Sequence, residues 1–246
     1  MFSLDNLEMK YEPYPYGIVS PLFSEDVYQA LVSAFPQRDV FGVNPINVKY
    51  VLSERVNRRL YSRILKTSPV WRQFHQWVKS DEFIQGVLDQ LKSHHVDLGY
   101  KQRPAIPRFA RRLGYGLGGR RDYHVSLSSR FEFSMLPADG GMVIPHTDAV
   151  SKVVTLVIPM VADGEWHPSL GGDTDINAPR EDRLRFNGVN GKADFAQMDV
   201  VDSLVFGPNR ALVFVRTYNS WHSVRPMTAK GSKAMRRTVT VNLLER

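Results

Sequence analysis

The chain has 246 residues, a net charge of +7 and no cysteine. That length can bury one sizeable core, and the missing cysteine excludes disulfides, thiolate nucleophiles and cysteine-bound metals. No apolar run approaches the ~18 residues needed to span a bilayer, and the first residues carry no basic region ahead of an apolar stretch, so the expectation is a cytoplasmic protein with no membrane contact.

Two prolines make residues 11–16 an extended lead-in to a short strand, Tyr16-Gly17-Ile18-Val19. Ser24-Glu25-Asp26 opens a helix, since Ser24 can cap and the two acids favour the positive helix end. Its apolar residues Val27, Leu31, Val32 and Phe35 recur at helical spacing, and Pro36 stops it. A strand is expected around Val48 to Leu52. A second helix should start at Ser53-Glu54 and run through Leu60 to Leu65. Pro69 suits the first turn of a third, and Ser80 or Asp81 starts a fourth through Phe83, Val87, Leu88 and Leu91.

Residues 99–124 read as a long connection with five glycines. Gly114 to Gly119 fits Gly-x-Gly-x-x-Gly, but no strand leads into it and no helix opens at it, so a dinucleotide site is not expected. From Ser128 the pattern turns to strand: Phe131, Phe133 and Met135 alternate with Arg130, Glu132 and Ser134. Val153 to Met160 is a strongly apolar strand. Gly171-Gly172 is a turn, residues 177–196 read as an inserted polar loop, and Asp199 to Phe206 and Ala211 to Val215 are strands. Arg236 to Leu244 closes the sheet.

The chemistry gathers at Ile144-Pro145-His146-Thr147-Asp148. Side chains two apart on an extended segment leave the same face, so His146 and Asp148 can grip one ion. His222 is the third candidate. Two imidazoles and one carboxylate are the set that holds non-haem Fe(II) on one face and leaves positions open for dioxygen and an organic co-substrate. His167, in a loop between Trp166 and Pro168, is the weaker rival ligand. Asp173, Asp175 and Asn177 imitate the start of a calcium loop, but Ala178 and Leu184 stand where that loop needs Gly and Glu.

The order of parts is His-x-Asp, apolar strand, Gly-Gly, strands, His222, then arginine opening a last strand. In this order, over roughly Ser128 to Leu244, the sequence resembles the iron(II)/2-oxoglutarate dioxygenases, particularly the prolyl-4-hydroxylase-like branch. The resemblance implies a mainly β fold with N-terminal helices (α+β), a double-stranded β-helix of the cupin-like jelly-roll kind buttressed by helices. It implies a single oxygenase domain over 1–246, with 1–127 as helical support and entry loop and 128–246 as the jelly-roll catalytic core. Its cofactors would be Fe(II), 2-oxoglutarate as co-substrate and O2, with His146, Asp148 and His222 as metal ligands and catalytic residues. The oxoacid needs a two-pronged cation. Strand alternation places Arg237 with Val239, Val241 and Leu243, and Arg236 with Thr238, Thr240 and Asn242. The apolar face should pack under the helices, so Arg236, with Thr238 as hydroxyl partner, is the expected anchor, resembling the family's Arg-x-Ser. Lys233 is a rival by analogy with collagen-type relatives. Phe131 to Met135 lacks the tyrosine that close relatives carry there, leaving Ser134, Tyr123, Lys152 or Thr155 as a second anchor and arguing against assuming a prolyl substrate.

The implied reaction is hydroxylation of an unactivated C–H bond coupled to decarboxylation of 2-oxoglutarate. The partner would be a small-molecule or polymer substrate, polar or anionic; the sequence leaves the oligomeric state open. Arg103, Arg108, Arg111, Arg112, Arg120 and Arg121 form the one dense basic cluster, expected at the site's mouth. Two alternatives stay open. A non-redox cupin-like metal-binding or sugar-modifying protein would not consume 2-oxoglutarate. A nucleic-acid-directed oxidative demethylase would bind nucleic acid in a salt-sensitive way.

Overall fold

The structure, a computed structural model, describes residues 1–44, 48–100, 127–186 and 189–245. Its elements begin with β1 (Leu7–Lys10), β2 (Tyr16–Val19), α1 (Glu25–Ser33), β3 (Gly42–Asn44), β4 (Lys49–Ser53), α2 (Arg58–Thr67), α3 (Pro69–Val78) and α4 (Asp81–Ser93). They continue with β5 (Leu127–Pro137), β6 (Val143–His146), β7 (Lys152–Pro159), β8 (Thr174–Pro179), β9 (Met198–Leu204), β10 (Ala211–Val215), β11 (His222–Val224) and β12 (Met235–Glu245). The major sheet has the order β1-β2-β10-β7-β12-β5-β4-β3 and the minor sheet β6-β11-β8-β9. All strand neighbours are antiparallel. The fold is a double-stranded β-helix with four helices against one face of the major sheet.

Alternation decides what each face of that sheet meets. Phe131, Phe133, Val239, Val241 and Leu243 are fully buried in the main core with Leu31, Trp71, Phe74 and Leu91 from the helices. Trp71 meets the Phe133 ring edge-on at 4.6 Å and donates its indole N–H to the Ala34 carbonyl at 2.8 Å. Each such buried aromatic or aliphatic side chain contributes about 1.5–3 kcal/mol. The opposite face carries Arg236, Thr238, Ser134, Glu132 and Thr155 into the space between the sheets. The helices thus hold the sheet from outside and leave its inner face polar.

Helix starts follow local chemistry. Ser80 accepts the Phe83 N–H at 3.1 Å and caps α4. Ser24 precedes α1 without making a side-chain cap bond. The second helix begins at Arg58 and not at Ser53, because Ser53 ends β4 and its hydroxyl accepts the N–H groups of Arg55 and Val56. Asn57, with φ of 56°, then turns the chain into the helix. Other parts of the fold refine the expectations. The N-terminal half supplies four strands as well as helices, so the major sheet spans both halves of the chain. Strand β12 lies inside the sheet between β7 and β5: all eleven of its residues pair with β5, and Thr238 to Leu244 pair with β7 as well. Residues 177–179 belong to β8, so the polar insertion starts after Pro179. The arginine cluster from Arg103 to Arg121, and Tyr123, lie outside the described residues.

Candidate metal centre

Strand β6 ends on His146 and β11 opens on His222, and the two are direct partners in the ladder. Their ring centroids are 4.3 Å apart. Asp148 follows two residues past the end of β6, where the chain is fixed by Thr147, which receives a backbone bond from Gly191 and donates its hydroxyl to the Val189 carbonyl at 3.0 Å. One donor atom from each of His146, Asp148 and His222 lies within 4.8 Å of the others, the only such group among the described residues.

Hydrogen bonding fixes the imidazole tautomers. Nδ1 of His146 faces the Ile144 carbonyl at 3.0 Å, and Nδ1 of His222 faces the Ser220 carbonyl at 3.1 Å. A carbonyl only accepts, so each Nδ1 carries the proton and each Nε2 keeps a lone pair for a metal. Burial, then the neighbouring His222, pushes the His146 imidazole down to about 3. Burial also pushes His222 down, against the pull of Asp148. Both rings are therefore neutral at physiological pH, as ligation requires. Asp148 is 5% exposed, yet its charge survives. Burial opposes ionisation, but Lys152, then the imidazoles, hold its carboxyl far below the usual range. Lys152 Nζ donates to Oδ1 at 2.5 Å and Thr155 Oγ1 to Oδ2 at 2.8 Å. Two imidazoles and one oriented carboxylate fit a divalent first-row metal.

The triad lines a cavity of about 600 Å³, counting its open mouth, within the range of small-molecule sites. Arg236 lines the same cavity and is 5% exposed. Its Nε donates to the Gly172 carbonyl at 2.5 Å and its Nη2 to Thr174 Oγ1 at 3.1 Å, with the guanidinium 4.5 Å over the Phe206 ring. Among the described residues no carboxylate pairs with it within 4.0 Å. Burial pushes the guanidinium down to about 10, against a smaller pull from Asp173. Thr238 lies in the same cavity, its hydroxyl 2.8 Å from that of Ser134. Arg237 faces the other way, pairs with Glu165 and lies over Phe35.

Of the other candidates, Ser134, Lys152 and Thr155 line the cavity, whereas Lys233 is exposed and His167 stands apart, bonded to Ser169. Several contributors were not singled out from sequence. Thr174 and the Gly172 carbonyl cradle Arg236. Gly172 adopts φ of +90°, and a Cβ there would lie 3.1 Å from both the Arg236 and Trp166 side chains. The readable signal was the Gly-Gly pair directly before a strand. Lys49 and Glu132, which also line the cavity, carried no motif.

The fold is shared with a crystal structure of a Pseudomonas putida prolyl-4-hydroxylase, at TM-score 0.51 and 14% identity over 94% of this chain and 92% of that one. A prolyl hydroxylase from Trichoplax adhaerens, solved with a hypoxia inducible factor peptide fragment, matches at TM-score 0.46 and 14% identity over 94% and 83%. An oxidoreductase of the 2OG-Fe(II) oxygenase family from Burkholderia pseudomallei matches at TM-score 0.44 and 12% identity over 93% and 84%. No protein-family model matches the sequence, and no curated protein matches it.

Proposed function

We propose that the protein is an Fe(II)- and 2-oxoglutarate-dependent dioxygenase that hydroxylates an unactivated C–H bond of a polar or anionic substrate, the whole chain acting as one oxygenase unit. The observation that carries this reading is the pairing, in one cavity, of a His-Asp-His donor set with a buried arginine that has no carboxylate partner among the described residues. A desolvated cation without a counter-ion is costly, and a dicarboxylate that also reaches a metal is the ligand that resolves it.

Bound iron, 2-oxoglutarate and O2 together would supply the oxidising chemistry, yielding succinate, carbon dioxide and the hydroxylated product. The protein's part is placement. His146, Asp148 and His222 would hold the metal from one side. Lys152 and Thr155 aim the Asp148 carboxylate. Arg236, fixed by Gly172 and Thr174, would receive the distal carboxylate of the oxoacid, with Thr238 and Ser134 as nearby hydroxyl donors. Val157, Phe214 and Leu136 supply an apolar part of the cavity wall. The test is turnover of labelled 2-oxoglutarate with Fe(II), with and without candidate substrates. Release of labelled carbon dioxide that depends on His146 and Arg236 is the expected result. A protein that binds metal but never consumes 2-oxoglutarate would be a non-redox member of the fold. Salt-sensitive binding of nucleic acid, with turnover stimulated by it, would identify a demethylase instead.

A further inference from the structure

Strand β11, which carries His222, is short. It has three residues and opens on the histidine, and its ladder to β6 shifts register between His222 and Val224. Its ladder to β8 holds two pairs, His222 with Ile176 and Ser223 with Asp175. Regular pairing begins only at His222, so the peptide groups just ahead of it need other partners. Those groups aim the ring. Nδ1 of His222 is held by the Ser220 carbonyl at 3.1 Å, and the planar peptide joining Trp221 to His222 sets the direction in which the side chain leaves the backbone.

Tyr14 supplies a partner from the other end of the chain. Its phenol O–H donates to the Trp221 carbonyl at 2.9 Å, across 207 residues of sequence. The same carbonyl accepts the Asn177 N–H at 2.9 Å, so this peptide is gripped both by β8 and by the lead-in to β2. Tyr14 is 2% exposed and packs between the two sheets with Tyr16, Ile176, Leu212 and Phe214. Burial first, then Tyr16 and Asp148, push its hydroxyl well above the usual tyrosine range, so it stays a donor at neutral pH. Its ring meets Phe214 edge-on at 6.5 Å, and Phe214 lies 4.5 Å from the His222 ring. One side chain thus reaches His222 by two routes, one through the backbone and one through an aromatic contact. Tyr14 does not itself line the cavity, so it acts on a metal only through the histidine.

The lead-in is tethered on either side of Tyr14. The Pro15 carbonyl accepts the Val215 N–H at 3.0 Å, and the Tyr16 hydroxyl donates to Asp202 at 2.9 Å, where Lys10 also pairs at 2.6 Å. Tyr14 and Tyr16 are therefore a matched pair: two phenols on one segment, each donating one hydrogen bond, of which only the first ends beside a metal ligand. We propose that Tyr14 is a positioning residue of the metal centre, holding the Trp221–His222 peptide so that the His222 ring keeps its place 4.3 Å from that of His146. The proposal rests on the reading of the triad as a metal site. Without the phenol oxygen, the Trp221 carbonyl keeps only its bond from Asn177, and the imidazole gains freedom to tilt away from the other two ligands.

Titration with cobalt(II) tests this, because the visible ligand-field bands of that ion report how its donors are arranged. Tyr14→Phe keeps the ring and its contact with Phe214. It should weaken cobalt binding by about ten-fold, the low end of what groups supporting metal ligands contribute, and should shift the bands of the bound ion. Tyr16→Phe loses an equivalent bond on the same segment and should leave affinity and bands as in the wild type. Unchanged affinity and bands in Tyr14→Phe, or an equal loss of affinity in both variants with the bands unmoved, would overturn the proposal, since the lead-in would then be structural only. Melts precede the titrations. If Tyr14→Phe fails to fold, the wild type decides. Coupling between the lead-in and the metal is reciprocal, so cobalt should slow hydrogen exchange at the Val215 amide, and an unchanged rate overturns the proposal. Failure of the wild-type protein to bind cobalt would instead sink the metal reading.

Discussion

Replacing Arg236 by Met separates what the arginine does for the ligand from what it does for the fold. Methionine keeps an unbranched stem of similar length over Phe206 and removes the charge. Burial pushes the guanidinium down to about 10, an unfavourable contribution of roughly 3 kcal/mol while it stays charged and without a counter-ion. The substitution relieves that cost but leaves the Gly172 carbonyl and the Thr174 hydroxyl without their donor, at about 1–3 kcal/mol each. The balance runs from about 1 kcal/mol gained to about 3 kcal/mol lost, so the ligand-free melting temperature should move by at most roughly 10 °C. Binding should behave differently. Losing one partner of a buried, charge-assisted pair costs about 2–5 kcal/mol, so affinity for 2-oxoglutarate should fall by roughly 30- to several-thousand-fold. Arg237→Met, on the opposite face beside Glu165, should alter that affinity by less than about three-fold. Calorimetry with 2-oxoglutarate on the metal-loaded protein, beside melts without ligand, measures both quantities. A larger loss for Arg237→Met, or an Arg236→Met protein that binds normally, would refute the assignment of the inner face of β12.

Three further outcomes follow from contacts around the same cavity. Thr155→Val removes the donor to Asp148 Oδ2 and should weaken metal affinity by about 10- to 100-fold, read by competition with a chelating dye. Gly172→Ala imposes a side chain at φ of +90° against Arg236 and Trp166, so it should cost more than ~1 kcal/mol in urea unfolding and weaken 2-oxoglutarate binding as well. The pH dependence has a definite sign. His146 is held near 3 when folded and titrates near 6.5 when unfolded, so the unfolded chain takes up the proton first and the metal-free protein loses stability as pH falls from about 6.5. Urea midpoints at pH 7 and 5 should show that loss, and His146→Gln should shrink it; a midpoint that rises on acidification would contradict the burial of this ring.

The jelly roll and its helices were legible because alternation and helical spacing act through neighbouring residues. Phe131, Phe133, Val239 and Val241 announce the face that packs under Trp71 and Phe74, and Arg236 then falls on the other face by parity. His146 and Asp148 were visible for the same reason, being two residues apart. His222 became a partner only through strand order, because its ladder contact with His146 spans a long stretch of chain. What stayed hidden depends on pairing across strands. Lys49 reaches the cavity through the β4–β5 ladder, and Thr174 meets Arg236 across the two sheets. The start of α2 was misplaced because a hydroxyl that can cap a helix can also bind two turn N–H groups, and Ser53 does the latter.

The proposed function requires that the triad and Arg236 bind one metal and one oxoacid together. Anaerobic titration of 2-oxoglutarate into Fe(II)-loaded protein, followed by visible absorption, tests it most directly, since chelation of ferrous iron by an oxoacid gives a charge-transfer band. The expected result is a band that saturates at one equivalent in the wild-type protein and is lost in His222→Ala. Metal binding without any band, or a band that survives His222→Ala unchanged, would contradict it.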